Sequence, residues 1–173
     1  MRIKVLFSLV CWGLASVLLA GAPKSYLSFR QDASQTDSFL QHVAVAFEQA
    51  KWMYVATFDG TAARVRPFGY TAIIDNRLIL ATSTKKEVYA QLKQCPEIEV
   101  CATQSDGKSF VRYKGKAIES ESAELLAFFT ERFPFFQKKY KETLRLFQLE
   151  PEMAGIFPEG RTGAKPETKI FKK

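Results

Sequence analysis

Residues 63–86 read Ala63-Arg64-Val65-Arg66-Pro67-Phe68-Gly69-Tyr70-Thr71-Ala72-Ile73-Ile74-Asp75-Asn76-Arg77-Leu78-Ile79-Leu80-Ala81-Thr82-Ser83-Thr84-Lys85-Lys86. Two runs suited to strands, Ala63 to Ile74 and Leu78 to Thr82, flank the turn pair Asp75-Asn76, a pattern that predicts an antiparallel hairpin. A further run, Trp52 to Phe58, precedes them across the turn Asp59-Gly60. These short runs predict a meander.

Downstream, Val88, Tyr89 and Leu92 fall at helical spacing within Lys85 to Gln94, and Pro96 stops the helix. Strands resume at Ile98 to Thr103 and Ser109 to Glu119, joined around Asp106-Gly107. Strand, helix and strand alternate only once, which suits a β-barrel with helices at its edges better than a doubly wound parallel sheet.

The flanks add helices. Thr36 or Asp37 caps a helix with Phe39, Leu40, Val43, Ala44 and Phe47 on one stripe, running to about Ala50. Ser120 or Ser122 caps another, packed through Leu125, Leu126, Phe128 and Phe129 and ending near Phe133-Pro134. Phe135, Phe136 and Tyr140 continue as a short helix, and Leu144, Leu146, Phe147 and Leu149 form a strand that ends before Glu150-Pro151. The tail supplies a last edge strand around Ile170-Phe171 or stays loose.

The chain of 173 residues fits one domain, and its 47% hydrophobic content with 15 Phe is enough for a core. Residues 1–22 begin with Arg2 and Lys4, run without charge from Val5, and end in Ala20-Gly21-Ala22. That is the pattern of an export signal, with an uncleaved membrane anchor as the alternative. The expected product is exported, periplasmic or secreted, or tethered by this segment. Residues 23–35 read as a linker and 36–173 as the domain. The formal charge is +7, and loss of the leader removes Arg2 and Lys4 and no acid, so the chain stays basic. One histidine, His42, and three cysteines without zinc spacing exclude a His-rich metal site. Cys95 and Cys101 form either a disulfide or two separate buried thiols.

Two basic clusters carry chemistry. Arg64 and Arg66 alternate along one strand and therefore share a face. Thr82-Ser83-Thr84-Lys85-Lys86 lies where a strand gives way to a helix, a junction with free backbone N–H groups and the positive end of the helix dipole. An arginine fork and a lysine point charge beside hydroxyls suit a phosphomonoester.

Taken in order, Arg64-Val65-Arg66-Pro67-Phe68-Gly69, Leu78 to Lys86, Val88-Tyr89-Ala90-Gln91-Leu92 and Cys95 to Val100 resemble the small FMN-binding split-barrel proteins of the pyridoxamine 5'-phosphate oxidase-like superfamily. Tyr54 to Gly60 and Arg112 to Ala117 extend the likeness, which covers Phe47 to Glu119 well and Leu144 to Phe157 loosely. The resemblance implies a mainly β, α+β fold: a six-stranded antiparallel Greek-key split barrel that forms a homodimer with FMN at the subunit interface. It implies that Arg64 or Arg66, with Thr82, Ser83, Lys85 and Lys86, holds the FMN phosphate. Pro67, Phe68 and Gly69 then lie along the flavin, and Gln91 stands near it.

The departures narrow the activity. The true oxidase grips its substrate with an arginine and a histidine near the C-terminus, whereas the histidine here is His42, so oxidation of pyridoxamine phosphate is not expected. The expected function is an FMN-dependent oxidoreductase acting on a small molecule outside the cytoplasm, with a flavin carrier or sensor as the alternative and deazaflavin as the alternative cofactor. No catalytic residue is named, because a flavin ring carries its own redox chemistry. Tyr70 is expected to pack and Arg112 to form a strand-edge ion pair. A basic barrel also suits single-stranded nucleic acid, but the leader and the compact cradle weigh against that partner.

Overall fold

The computed structural model describes residues 37–50, 52–74, 77–160 and 164–171. The leader, the linker, Thr36 and the Asp75-Asn76 turn lie outside the described residues. Helix α1 (Ser38–Gln49) starts where the backbone N–H groups of Phe39 and Leu40 donate to the Asp37 carboxylate at 3.0 and 3.4 Å. The strands are β1 (Met53–Phe58), β2 (Ala63–Phe68), β3 (Thr71–Ile74), β4 (Arg77–Ser83), β5 (Glu97–Thr103), β6 (Phe110–Ser120), β7 (Leu144–Phe157) and β8 (Glu167–Ile170). Helix α2 (Glu87–Gln94) follows β4, and α3 (Ala123–Arg132) and α4 (Pro134–Tyr140) fill the connection from β6 to β7.

All strand pairs are antiparallel, in the order β2-β1-β5-β6-β7-β4-β3, with β8 added beside β7. The two edge strands, β2 and β3, are consecutive in the chain and separated only by Gly69 and Tyr70. The sheet must therefore curl until its edges meet, which makes a barrel split along the β2–β3 seam. The antiparallel split-barrel class is the one expected, but the described residues form eight strands, not six. The expected strand Ala63 to Ile74 is two, because it breaks at Gly69, where an added Cβ would lie 2.8 Å from the Trp52 ring. The tail contributes β8.

Strand β7 also runs past its expected end, through Pro151 to Phe157. Pro151 cannot donate to a ladder, and it is accommodated at a bulge where the β6–β7 register shifts between Lys114 and Gly115. At that point a Cβ on Gly115 would collide with the Glu150 carbonyl oxygen.

Two cores share the sheet. Inside the barrel, Leu40, Val43 and Phe47 of α1 pack with Val55, Leu78, Leu80, Val100 and Tyr113. Tyr113 is fully buried, and its hydroxyl donates to the Leu149 carbonyl at 3.1 Å. On the other side of the sheet, Ile79, Ala81 and Leu146 pack against Leu125, Phe129 and Phe136 of α3 and α4. Strand β4 serves both cores, which explains why nearly every residue in it is buried. Strand β8 covers the upper part of β7, and Lys169 reaches the Asp37 carboxylate at the start of α1.

Gly115→Ala should lower stability by about 1–3 kcal/mol, since overpacking against fixed backbone cannot relax cheaply. Urea denaturation read by circular dichroism measures it, and an unchanged midpoint would contradict the close approach described.

Candidate functional site

A cleft of about 380 Å³ opens at the β2–β3 seam. Arg66, Pro67, Phe68, Gly69 and Tyr70 form one wall, Lys86, Glu87 and Val88 at the start of α2 form the floor, and Phe135, Phe136 and Tyr140 of α4 form the opposite wall.

Arg66 is held from behind. Its Nη1 donates to Thr57 Oγ1 at 2.9 Å, and the Thr57 hydroxyl donates in turn to Gln91 Oε1 at 2.8 Å. Thr57 and Gln91 are both buried, so the guanidinium is aimed by a relay from β1 and α2. Its other nitrogen lies 3.8 Å from the exposed Glu87 carboxylate. Gln91 thus stands near the site as a support for Arg66, outside the cleft lining.

Lys86 is the residue before α2, in a turn closed by its own N–H donating to the Ser83 carbonyl at 2.9 Å. The Ser83 hydroxyl is committed locally: it donates to Thr143 Oγ1 at 2.8 Å and accepts from the Lys85 N–H at 3.2 Å. Thr82 alternates with Ala81 along β4, so its side chain faces away from the cleft that Ala81 lines; its buried hydroxyl has no partner among the described residues. Lys85 is exposed outside the lining. Arg64 shares the face of Arg66 but pairs with Asp59 at 2.5 Å. Of the residues singled out in the sequence, the structure therefore gathers Arg66, Pro67, Phe68, Gly69, Tyr70 and Lys86 at one cleft.

The α4 wall was not visible in the sequence, where Phe135, Phe136 and Tyr140 read as a short helix with no part in the site. Tyr140 lies near two ammonium groups, Lys86 Nζ at 5.0 Å and Lys139 Nζ at 5.4 Å from its ring centroid. Burial pushes its phenol up, but hydrogen bonds and charge from Lys86 and Lys139 outweigh this and hold it below the usual tyrosine value. Tyr70 lines the cleft half-exposed. Arg112 lies elsewhere, ion-paired with Glu99 at 2.8 Å and stacked over Phe110 and Phe157. Cys95 and Cys101 are free thiols, and burial pushes Cys101 up.

An antiparallel split barrel flanked by helices, with a basic, aromatic cleft on its seam, is the structural class to which the chain belongs. The sequence pattern of the pyridoxamine 5'-phosphate oxidase family matches residues 39–155, and the chain belongs to that family. No curated protein matches it. Among solved structures, a NimC/NimA family protein from Clostridium acetobutylicum superposes with a TM-score of 0.68 at 19% identity, covering 76% of this chain and 92% of its own. A pyridoxamine 5'-phosphate oxidase-related, FMN-binding protein from Nostoc punctiforme gives 0.54 at 12% identity, covering 80% and 99%. An F420 reductase gives 0.50 at 16%, covering 62% and 90%. At these identities the likeness is one of fold.

Because the folded-state phenol of Tyr140 titrates below its unfolded value, it adds stability at pH above about 10, and that contribution fades as pH falls through the folded-state midpoint. Lys86→Gln should move the Tyr140 midpoint upward, read as the tyrosinate absorbance that Tyr140→Phe removes.

Proposed function

We propose that the chain is an FMN-binding flavoprotein of this family, working as an oxidoreductase on a small molecule. The observation that carries the reading is the convergence of Arg66 and Lys86 on one cleft whose other walls are apolar and aromatic. The donor set fits the group: the Arg66 fork and the Lys86 point charge suit the dianionic end of a phosphomonoester. Pro67, Phe68 and Gly69 line the cleft beside these cations, where a flavin ring would lie, and the volume is within the ~300–1,000 Å³ usual for small-molecule sites. Bound there, a flavin ring would supply the redox chemistry.

The chain's own residues bind and orient. Thr57 and Gln91 fix the Arg66 guanidinium before a ligand arrives, which lowers the ordering cost of binding. Glu87 is the competing anion at Arg66, and its exposure lets it swing away to solvent. The FMN-binding protein from Nostoc supports FMN, and the F420 reductase keeps deazaflavin as the alternative. The same reading includes a homodimer with the cofactor at its interface, supported by the exposed Tyr54, Phe58 and Val65 on the outer face of β1 and β2. It also includes export or membrane tethering by residues 1–22, and no nucleic-acid partner.

The purified protein is expected to be yellow, and its released chromophore to be FMN. Arg66→Ala and Lys86→Ala should each weaken FMN binding by the ~1.5–3 kcal/mol of a charge-assisted contact, at least about tenfold. Unchanged affinity in both would overturn the site. Steady oxidation of a reduced nicotinamide is the expected activity, whereas tight binding without turnover over a broad donor panel would make the protein a carrier.

A further inference from the structure

A group of lysines gathers on one surface with no carboxylate to balance it. Elsewhere lysines are paired: Lys93, Lys108, Lys114, Lys116 and Lys169 each lie within ion-pair distance of an acidic side chain. Lys85, Lys86, Lys138, Lys139 and Lys141 are exposed and make no ion pair among the described residues. They come from two segments, far apart in sequence, that the fold stitches together. The Thr84 N–H donates to the Thr143 carbonyl at 2.9 Å, and the Ser83 hydroxyl donates to Thr143 Oγ1 at 2.8 Å. Lys86 from one segment and Lys139 from the other both contact Tyr140, which leaves their charge in place. The carboxylates within these segments are Glu87, which faces Arg66, and Glu142. Positive charge is therefore concentrated here.

Helix α4 carries most of the patch and stands out from the body. Phe136 is its buried residue, whereas Pro134, Phe135, Gln137, Lys138 and Lys139 are exposed. Phe135 packs edge-on against Phe136 and still leaves 51% of itself in water, with Lys139 Nζ 5.1 Å from its centroid. At the end of α4, Lys141 takes φ 45°, a conformation that glycine adopts without cost, so a cation is placed there against backbone preference. An exposed ring among lysines on a protruding helix suits an anionic lipid interface, where cations meet headgroup phosphates and the ring enters the acyl boundary. A nucleic-acid strand calls instead for a groove that tracks its backbone. The export or tethering expected of residues 1–22 also brings the chain to a membrane.

We propose that the α4 face, formed by Phe135 with Lys85, Lys138, Lys139 and Lys141, docks on the surface of an anionic phospholipid bilayer. Phe135 also lines the cleft, so docking holds the mouth of the cleft beside the membrane. The inference does not depend on the flavin reading. It uses elements other than β1 and β2, whose outer face that reading gives to a second copy.

The test is co-sedimentation of the full chain with vesicles of phosphatidylcholine alone and of phosphatidylcholine mixed with phosphatidylglycerol. Every variant keeps residues 1–22, so any contribution of the leader is common to all. The unaltered chain should partition at least about tenfold more strongly onto the mixed vesicles, and added salt should shrink that advantage. Lys138→Gln/Lys139→Gln/Lys141→Gln should lose about tenfold on mixed vesicles, and Lys85→Gln/Lys141→Gln, which spares the helix itself, several-fold. Phe135→Ala should also lose several-fold. Lys108→Gln/Lys114→Gln/Lys116→Gln removes as much charge from around β6 and should stay within about twofold, since exposed pairs add little to stability. Circular dichroism checks that each variant is folded. Equal partition onto both kinds of vesicle would overturn the proposal, as would equal losses in the α4 and β6 triple variants. Release of the chain from mixed vesicles by a single-stranded oligonucleotide that binds it as tightly would overturn it in favour of nucleic acid.

Discussion

The connection through Gly69 and Tyr70 is the constraint on which the rest of the molecule depends. Phe68 closes one edge of the sheet and Thr71 opens the other, so the two edges cannot stand farther apart than three Cα steps, about 11 Å. A sheet with that restriction has to roll up. Because β2 and β3 pair with β1 and β4 and not with one another, the seam stays free of ladder hydrogen bonds and offers a place for a ligand. Tyr70, at the link itself, lines the cleft on that seam.

Closure also explains the two cores. Rolling the sheet produces an interior that α1 covers, and it turns the outer face of β4 and β7 toward α3 and α4. The cleft lies where these two packing systems meet, with cations supplied from β2 and α2 on one side and aromatics from α4 on the other. A site built this way is held by rigid elements on both sides, and the Thr57–Gln91 relay behind Arg66 extends that rigidity to the charged group itself.

Much of the barrel was legible in sequence because its signals are local. Asp59-Gly60 and Asp106-Gly107 mark turns whose aspartates accept backbone N–H bonds, and Asp37 and Ser122 cap the helices that follow them. What escaped was set by distant contacts. Gly69 reads as an interior strand residue until Trp52 is seen against it, and Pro151 reads as a terminator until the bulge at Gly115 absorbs it. The same holds for the site. Arg66 and Lys86 are readable as cations near strand ends, whereas the commitment of Ser83 to Thr143, and the arrival of Tyr140 beside Lys86, depend on a helix pair far along the chain.

The contact between Lys169 and Asp37 spans 132 residues of sequence. Strand β8 needs β7 already in place as its template, and its lysine needs α1 already begun, so this corner forms only when nearly all of the domain has been made. Until then the β7 edge that β8 covers carries unpaired backbone groups, open to pairing with another strand. Since β8 lies off the path that closes the barrel, its part is that of a cover: it occupies an edge of β7 that would otherwise be open to a strand from another chain.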